Sequence, residues 1–115
     1  MDTKKLKALI LKDGGCTYDT ILGTKISFTK GYAVASEIDS HVITLDKFKE
    51  VDIRDIMNNI SFNNDNSLVG FWVDSGLVYI ESVFIMEDLE KAKKLGKLTN
   101  QKAIYDFEND KEITL

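Results

Sequence analysis

The chain has 115 residues and a net charge of −4, with one cysteine, no proline, 43% hydrophobic and 30% charged residues. The missing prolines exclude a proline-rich ligand and a collagen-like chain, and the single cysteine excludes an internal disulfide scaffold. This balance is typical of a soluble globular domain rather than a disordered chain, so we expect residues 1–115 to form a single domain with one modest core.

The N-terminal part of the chain predicts a helix followed by short strands. Apolar residues recur at helical spacing over 5–12, and Gly14 with Gly15 is expected to end that helix. After it, a turn at Gly23 is expected to join two short strands.

The middle of the chain predicts two further strands and one strong helix. The strands are predicted over 31–35 and 41–45, with a loop at 36–40 between them. Residues 52–60 carry apolar side chains at positions i, i+3, i+4 and i+7, which indicates an amphipathic helix with Asp52 as its N-cap.

Residues 68–86 give the clearest hairpin signal, because β-branched and aromatic residues flank a turn at Asp74, Ser75 and Gly76. Its aromatic residues are expected to be core, and the alternative is that Trp72 is exposed and anchors a partner.

The C-terminal part predicts a helix over 87–100, a strand over 101–107 and a short strand over 112–115 that pairs back on it. Gly96 is unfavourable inside a helix, and a close approach of this helix to the sheet would explain it. The predicted fold is α+β: a single domain with a mostly antiparallel sheet of about five or six strands and two principal helices.

Charge is unevenly distributed along the chain. Residues 1–31 hold six lysines against three aspartates, whereas residues 32–115 hold nine basic and 16 acidic residues. This acidic excess argues against direct nucleic-acid binding. It is either an ordinary solvated surface or one that occupies a partner's basic groove.

No membrane span or signal peptide is recognisable, and with the unpaired Cys16 this predicts a cytoplasmic protein.

The residues that could carry chemistry form no recognised motif. Cys16 and His41 are the only cysteine and histidine, and neither stands in a nucleophile or metal-binding signature. No glycine-rich phosphate loop is present. The 19 acidic residues would allow an acid/base pair, but no two of them are selected by the sequence. We therefore predict no catalytic residue, no metal and no cofactor.

A resemblance to a known family extends over roughly residues 13–113. It rests on residues 14–19 with Gly23, 30–35, 70–74 with Gly76, 78–81, and Ala92 with 100–106. These segments resemble a family of small, largely uncharacterised proteins from phages, prophages and plasmids of Gram-positive bacteria. The short loop after Asp74 and the missing proline before Gly31 depart from the family pattern. The resemblance implies a mobile-element protein acting inside a bacterial host cell, with no established catalytic residues.

From this resemblance and the acidic excess we expect a non-enzymatic accessory protein that binds and inhibits a host defence component, such as a CRISPR-Cas effector. The partner would be a host protein with a basic nucleic-acid-binding groove. The residues expected to bind it are exposed acids and an aromatic anchor: Asp52, Asp55, Glu87, Asp88, Glu90 and Trp72.

Two alternatives stay open. One is a small-ligand binder that sequesters a nucleotide immune signal near Gly14, Gly15, Lys30 and Arg54, and the other is a small carboxylate- or metal-dependent enzyme. No membrane contact is expected. The sequence does not decide the oligomeric state, and a homodimer is one of the open alternatives.

Overall fold

The computed structural model describes residues 2–115, in which four helices lie on one face of a curled seven-stranded sheet. The helices are Thr3–Asp13 (α1), Leu45–Glu50 (α2), Ile53–Asn64 (α3) and Leu89–Leu98 (α4). The strands are Gly15–Asp19 (β1), Thr24–Ile26 (β2), Tyr32–Thr44 (β3), Leu68–Asp74 (β4), Leu77–Met86 (β5), Ala103–Asp106 (β6) and Lys111–Thr114 (β7).

Every strand pair is antiparallel, and the strand order across the sheet is β2-β1-β4-β5-β3-β6-β7. The predicted α+β single domain is therefore confirmed. The predicted numbers of elements are too low: residues 2–115 form seven strands rather than five or six, and four helices rather than two principal ones.

The three longer helices begin at aspartates whose side chains accept hydrogen bonds from backbone N–H groups of the first turn. Asp2 caps α1, Asp52 caps α3 and Asp88 caps α4. Gly14 ends α1 in the left-handed conformation, as the sequence predicts. None of the helices described within residues 2–115 is long and apolar enough to cross a membrane.

Helix α2 was not predicted, because six residues are too few to show helical periodicity. Thr44 caps it, and its Phe48 is among the largest fully buried side chains of the chain. The Lys7 ammonium group donates to the carbonyl oxygens of Lys49 (3.1 Å) and Val51 (2.7 Å), which stabilises the end of the helix. Burial of Phe48 and this contact with α1 are tertiary effects that local sequence does not reveal.

The apolar core lies between the helices and one side of the sheet, which we call the helix face. Its larger part joins α1, α2 and α3 to β1, β4 and β5 through these buried residues: Leu6, Ile10, Tyr18, Phe48, Ile53, Met57, Ile60, Val69, Phe71, Val78 and Ile80. A smaller part lies under α4, where Val34, Ala92 and Ile104 are buried.

Gly96 allows α4 to approach the sheet closely, which confirms the reason expected for a glycine in this helix. A Cβ at this position would lie 2.5 Å from Leu115 Cδ1 and 3.1 Å from Ile104 Cγ2. Both distances are shorter than an ordinary van der Waals contact, so a larger side chain would push the helix away from β6.

The loop predicted between two strands at 36–40 is instead an irregularity inside the single long strand β3. The register against β5 shifts after Ser36, and Asp39 takes a positive φ of 57°. The end of α3 holds this bulge, since Asn63 Nδ2 donates to Asp39 Oδ2 (2.9 Å) and Asn64 Nδ2 to the Ile38 carbonyl (2.8 Å). The polar segment 36–40, which predicts a loop, therefore forms a bulge that is hydrogen-bonded to the end of α3.

The connection from α3 to β4 is anchored by Asn66. Its Nδ2 donates to the hydroxyl of the fully buried Ser82 (2.9 Å) and to the Val83 carbonyl (2.8 Å), and its Oδ1 accepts from the Leu68 N–H. These bonds satisfy buried polar groups and hold the start of β4 against β5.

Candidate ligand-binding cleft

The other side of the sheet, which we call the open face, is covered by none of the four described helices. The curl of the sheet makes this face a cleft of about 830 Å³. Residues 27–31 alone link β2 to β3, four places away in the sheet. A link of that length reaches about 20 Å when fully extended. In a flat sheet, β2 and β3 would lie about 19 Å apart, which is four strand spacings. The link could barely span that distance, and it therefore favours a curled sheet, in which the two strands lie closer together. Small residues that line the cleft leave it open: Ala33, Ala35, Gly70 and Ala103.

Half-buried aromatic side chains form two walls of the cleft. Trp72 lies on one side and is supported by Tyr79, with 6.1 Å between the ring centroids. On the other side, Phe107 contacts Phe28 (5.0 Å) and Tyr105 (5.2 Å). The predicted hairpin aromatics therefore have different roles, because strand alternation places Phe71 in the core and Trp72 at the cleft.

Glu81 lies between these walls, in the middle of β5 and directly opposite Gly70 of β4. Within residues 2–115 its carboxyl group makes no hydrogen bond or ion pair. The pKa of Glu81 is raised from 4.5 to about 7. Burial is the larger cause, and the negative charge of Glu37 is the smaller one. Glu37 follows Ser36, the last regularly paired residue before the β3 bulge, so alternation places it on the same face as Glu81. Glu81 and Glu37 are therefore neighbouring carboxylates on the open face, a pair that the sequence did not specify.

The other charged residues lining the cleft are mainly acidic. At its margin Asp13 forms an ion pair with Lys25, with 3.7 Å between Oδ2 and Nζ. Asp110 and Glu112 line the β6–β7 side and have no ion pair within the described residues. The cleft therefore combines apolar ring surfaces with an excess of negative charge.

This excess follows the layers of the fold rather than the two ends of the chain. The four helices hold 11 basic and five acidic residues, whereas the strands and loops hold four basic and 14 acidic residues. The acidic excess noted over residues 32–115 therefore belongs mainly to the sheet and its connections.

The acids predicted to bind a partner do not lie on the open face with Trp72. They stand at the starts of two helices that pack on the helix face: Asp52 and Asp55 at α3, and Glu87, Asp88 and Glu90 at α4. All five are exposed. Asp52 and Asp88 have a structural role as N-caps, and α4 continues with four lysines after its acidic start.

Cys16 and His41 do not form a catalytic pair. They lie on one cross-strand row with Phe71 and Ile80 between them, which separates them by three strand spacings, or about 14 Å. Cys16 packs against the core on the helix face, and burial raises the pKa of its thiol to about 11. His41 Nε2 instead lies 3.8 Å from Asp39 Oδ1 in the β3 bulge.

No group of three or more His, Cys, Asp or Glu side chains that could hold a metal ion occurs in the described part of the chain. Lys30 and Arg54, expected near a nucleotide site, are not among the lining residues of the cleft, although Gly14 and Gly15 are.

Glu81 was not among the predicted binding residues, although its sequence position carries a signal. It is the only charged residue of β5, a strand otherwise composed of apolar, aromatic and serine residues. A lone charge inside such a strand must either face solvent or mark a site.

Comparison with known proteins adds no family assignment. No protein-family model matches the chain, and neither curated proteins nor solved structures gave a match. The resemblance to proteins of phages and other mobile elements stays a prediction.

Proposed function

We propose that this chain is a non-enzymatic binding protein whose binding site is the cleft on the open face of the sheet. The observation that carries the proposal is a concave site of about 830 Å³ in which aromatic walls surround the unpartnered carboxyl group of Glu81. Ligand sites in proteins are typically clefts of about 300–1,000 Å³ that combine apolar walls with a few polar groups.

The geometry favours binding over catalysis. A carboxyl group with a pKa of about 7 has the acidity of a general acid or base. The candidate thiol nucleophile, however, lies on the opposite face of the sheet, where Cys16 packs against the core. The acidic residues of the cleft also disfavour the nucleotide alternative, because they repel phosphate groups.

A host defence component such as a CRISPR-Cas effector stays the proposed target class, and it would be recognised through a second surface, the exposed acids at the starts of α3 and α4. The exposure of Asp52, Asp55, Glu87, Asp88 and Glu90 supports this reading. A partner recognised through these acids should be captured from a host lysate at low salt and released at moderate salt. Capture that is insensitive to salt would contradict an electrostatic surface.

The cleft itself is tested with Trp72, the only tryptophan of the chain, as an intrinsic fluorescent reporter. We expect a panel of small aromatic cations, neutral compounds and anions to contain members that change its emission saturably. Ala35→Phe, which fills the cleft, should abolish the response. Val42→Phe is the matched control, because Val42 lies on the same strand and the same face but outside the cleft lining.

A panel in which no compound changes Trp72 emission or thermal stability would contradict the proposed site. Equal responses in the Ala35→Phe and Val42→Phe variants would contradict it as well, because the ligand would then bind elsewhere. Circular dichroism of both variants establishes that the fold is retained.

A further inference from the structure

On the basis of the proposed binding function, we infer that the cleft takes a small organic cation, a protonated amine attached to an apolar or aromatic body. The geometry that points to this ligand is the position of one half-buried carboxyl group between two aromatic walls, with small residues leaving space around it.

The carboxyl pair is the first reason. Glu81 and Glu37 lie close enough for the charge of one to perturb the other, although no cation among residues 2–115 forms an ion pair with either of them. Like charges on neighbouring strands are destabilising, and a half-buried carboxylate without a partner costs further free energy. A ligand ammonium group would supply the missing partner for the carboxylate.

The surrounding charges are the second reason. Around the cleft, Asp110 and Glu112 on the β6–β7 side are acidic. The one lysine of the lining, Lys25, is paired with Asp13 and stands at the margin. A cation is therefore attracted to the cleft, and an anion of the same size is repelled.

The aromatic walls are the third reason. Ring faces of Trp and Tyr attract ammonium groups through their quadrupoles, and this attraction is larger when water is partly excluded. Trp72 and Tyr105 line the cleft and are half-buried, so their rings offer both a cation–π contact and an apolar surface for the ligand body. A carboxylate and ring faces together select an amine with an apolar body over a metal cation, which needs more oxygen ligands.

Three probes of similar size test the inference: phenethylamine, which is protonated at neutral pH, phenethyl alcohol, which is neutral, and phenylacetate, which is an anion. Each is titrated at pH 8 while Trp72 fluorescence is recorded, with chemical-shift mapping to place the site. We expect phenethylamine to bind at least about tenfold more tightly than the alcohol, the gain usual for a hydrogen bond to a charged group. Phenylacetate should bind most weakly.

Glu81→Gln keeps the shape of the side chain and removes its charge. We expect it to reduce phenethylamine affinity about tenfold and to leave phenethyl alcohol binding unchanged. Glu50→Gln is the matched control, since it removes the same charge at an exposed position at the end of α2, and it should leave both affinities unchanged.

The outcomes separate the two proposals. If the alcohol or phenylacetate binds at the cleft as tightly as the amine, or if Glu81→Gln leaves amine affinity unchanged, the cation inference is overturned while the binding cleft stands. If none of the three probes and no other panel compound responds, both are overturned. A loss of amine binding in Glu50→Gln equal to that in Glu81→Gln would show a general charge effect and also overturn the inference.

Discussion

Replacing Glu81 by glutamine should stabilise the protein at alkaline pH. The carboxyl group has a pKa of about 7 in the folded protein against 4.5 for an ordinary glutamate, because burial and the charge of Glu37 disfavour its ionised form. Between these two values the folded chain binds more protons than the unfolded chain. The free energy of unfolding is therefore highest below pH 4.5 with respect to this group and falls as pH rises through 7.

The magnitude follows from the size of the shift. A change from 4.5 to about 7 corresponds to at most about 3.4 kcal/mol once the group is fully ionised, at 1.36 kcal/mol for each pH unit. Glu81 is partly exposed, so solvent screening reduces this, and we expect about 1–3 kcal/mol at pH 8. Glutamine has nearly the same shape and never ionises, so the variant should not show this loss.

The assay is urea unfolding of the wild type and Glu81→Gln at several values between pH 4.5 and 8, with Glu87→Gln as the control for removal of one exposed charge. The stability difference between Glu81→Gln and the wild type should be small at pH 4.5 and grow in favour of the variant up to pH 8. A difference that is independent of pH, or a variant less stable than the wild type at pH 8, would refute the reasoning.

Four other measurements test separate parts of the structure. Asn66→Ala should cost about 2–3 kcal/mol in urea unfolding, because it leaves buried polar groups unsatisfied, whereas Asn63→Ala, which loses one exposed bond, should cost under about 1 kcal/mol. Gly96→Val should lower the free energy of unfolding by about 1–3 kcal/mol by overpacking α4 against β6, and unchanged stability would contradict that packing. Cys16, with a thiol pKa of about 11, should resist alkylation at pH 7 in the native protein and react in denaturant, as followed by mass spectrometry. Phenethylamine affinity should fall by up to about tenfold per pH unit below pH 7, as Glu81 becomes protonated, and a flat profile would contradict ion pairing there.

The pH dependence of binding involves more than one group. Apart from Cys16, which packs against the core on the helix face, the titratable and charged residues that face Glu81 or line the same cleft are Glu37, Asp13, Lys25, Tyr105, Asp110 and Glu112. Comparing the wild type with Glu81→Gln isolates the contribution of Glu81, because the other groups are common to both proteins.

Local signals in the sequence were sufficient for the main helices and for the central hairpin. The aspartate cap of α3, the apolar spacing of α3 and the turn at Gly76 act within a few residues, so they can be recognised without the fold. The same local logic misjudged the polar segment after Ser36. A loop and a bulge share the same residue types, and only pairing with β5 and contact with α3 distinguish them.

By itself, the sequence determined an α+β domain with an acidic excess and an aromatic hairpin, since composition and short-range periodicity encode these features. Only the tertiary structure decided where they lie. Strand pairing places Trp72 on the open face and Phe71 in the core, and the curl of the sheet brings Phe28 and Phe107 into the same cleft. It also leaves Glu81 without a counter-charge between these rings, because helices carry most of the lysines to the other side. Such a site depends on residues far apart in the chain, and no local pattern specifies it.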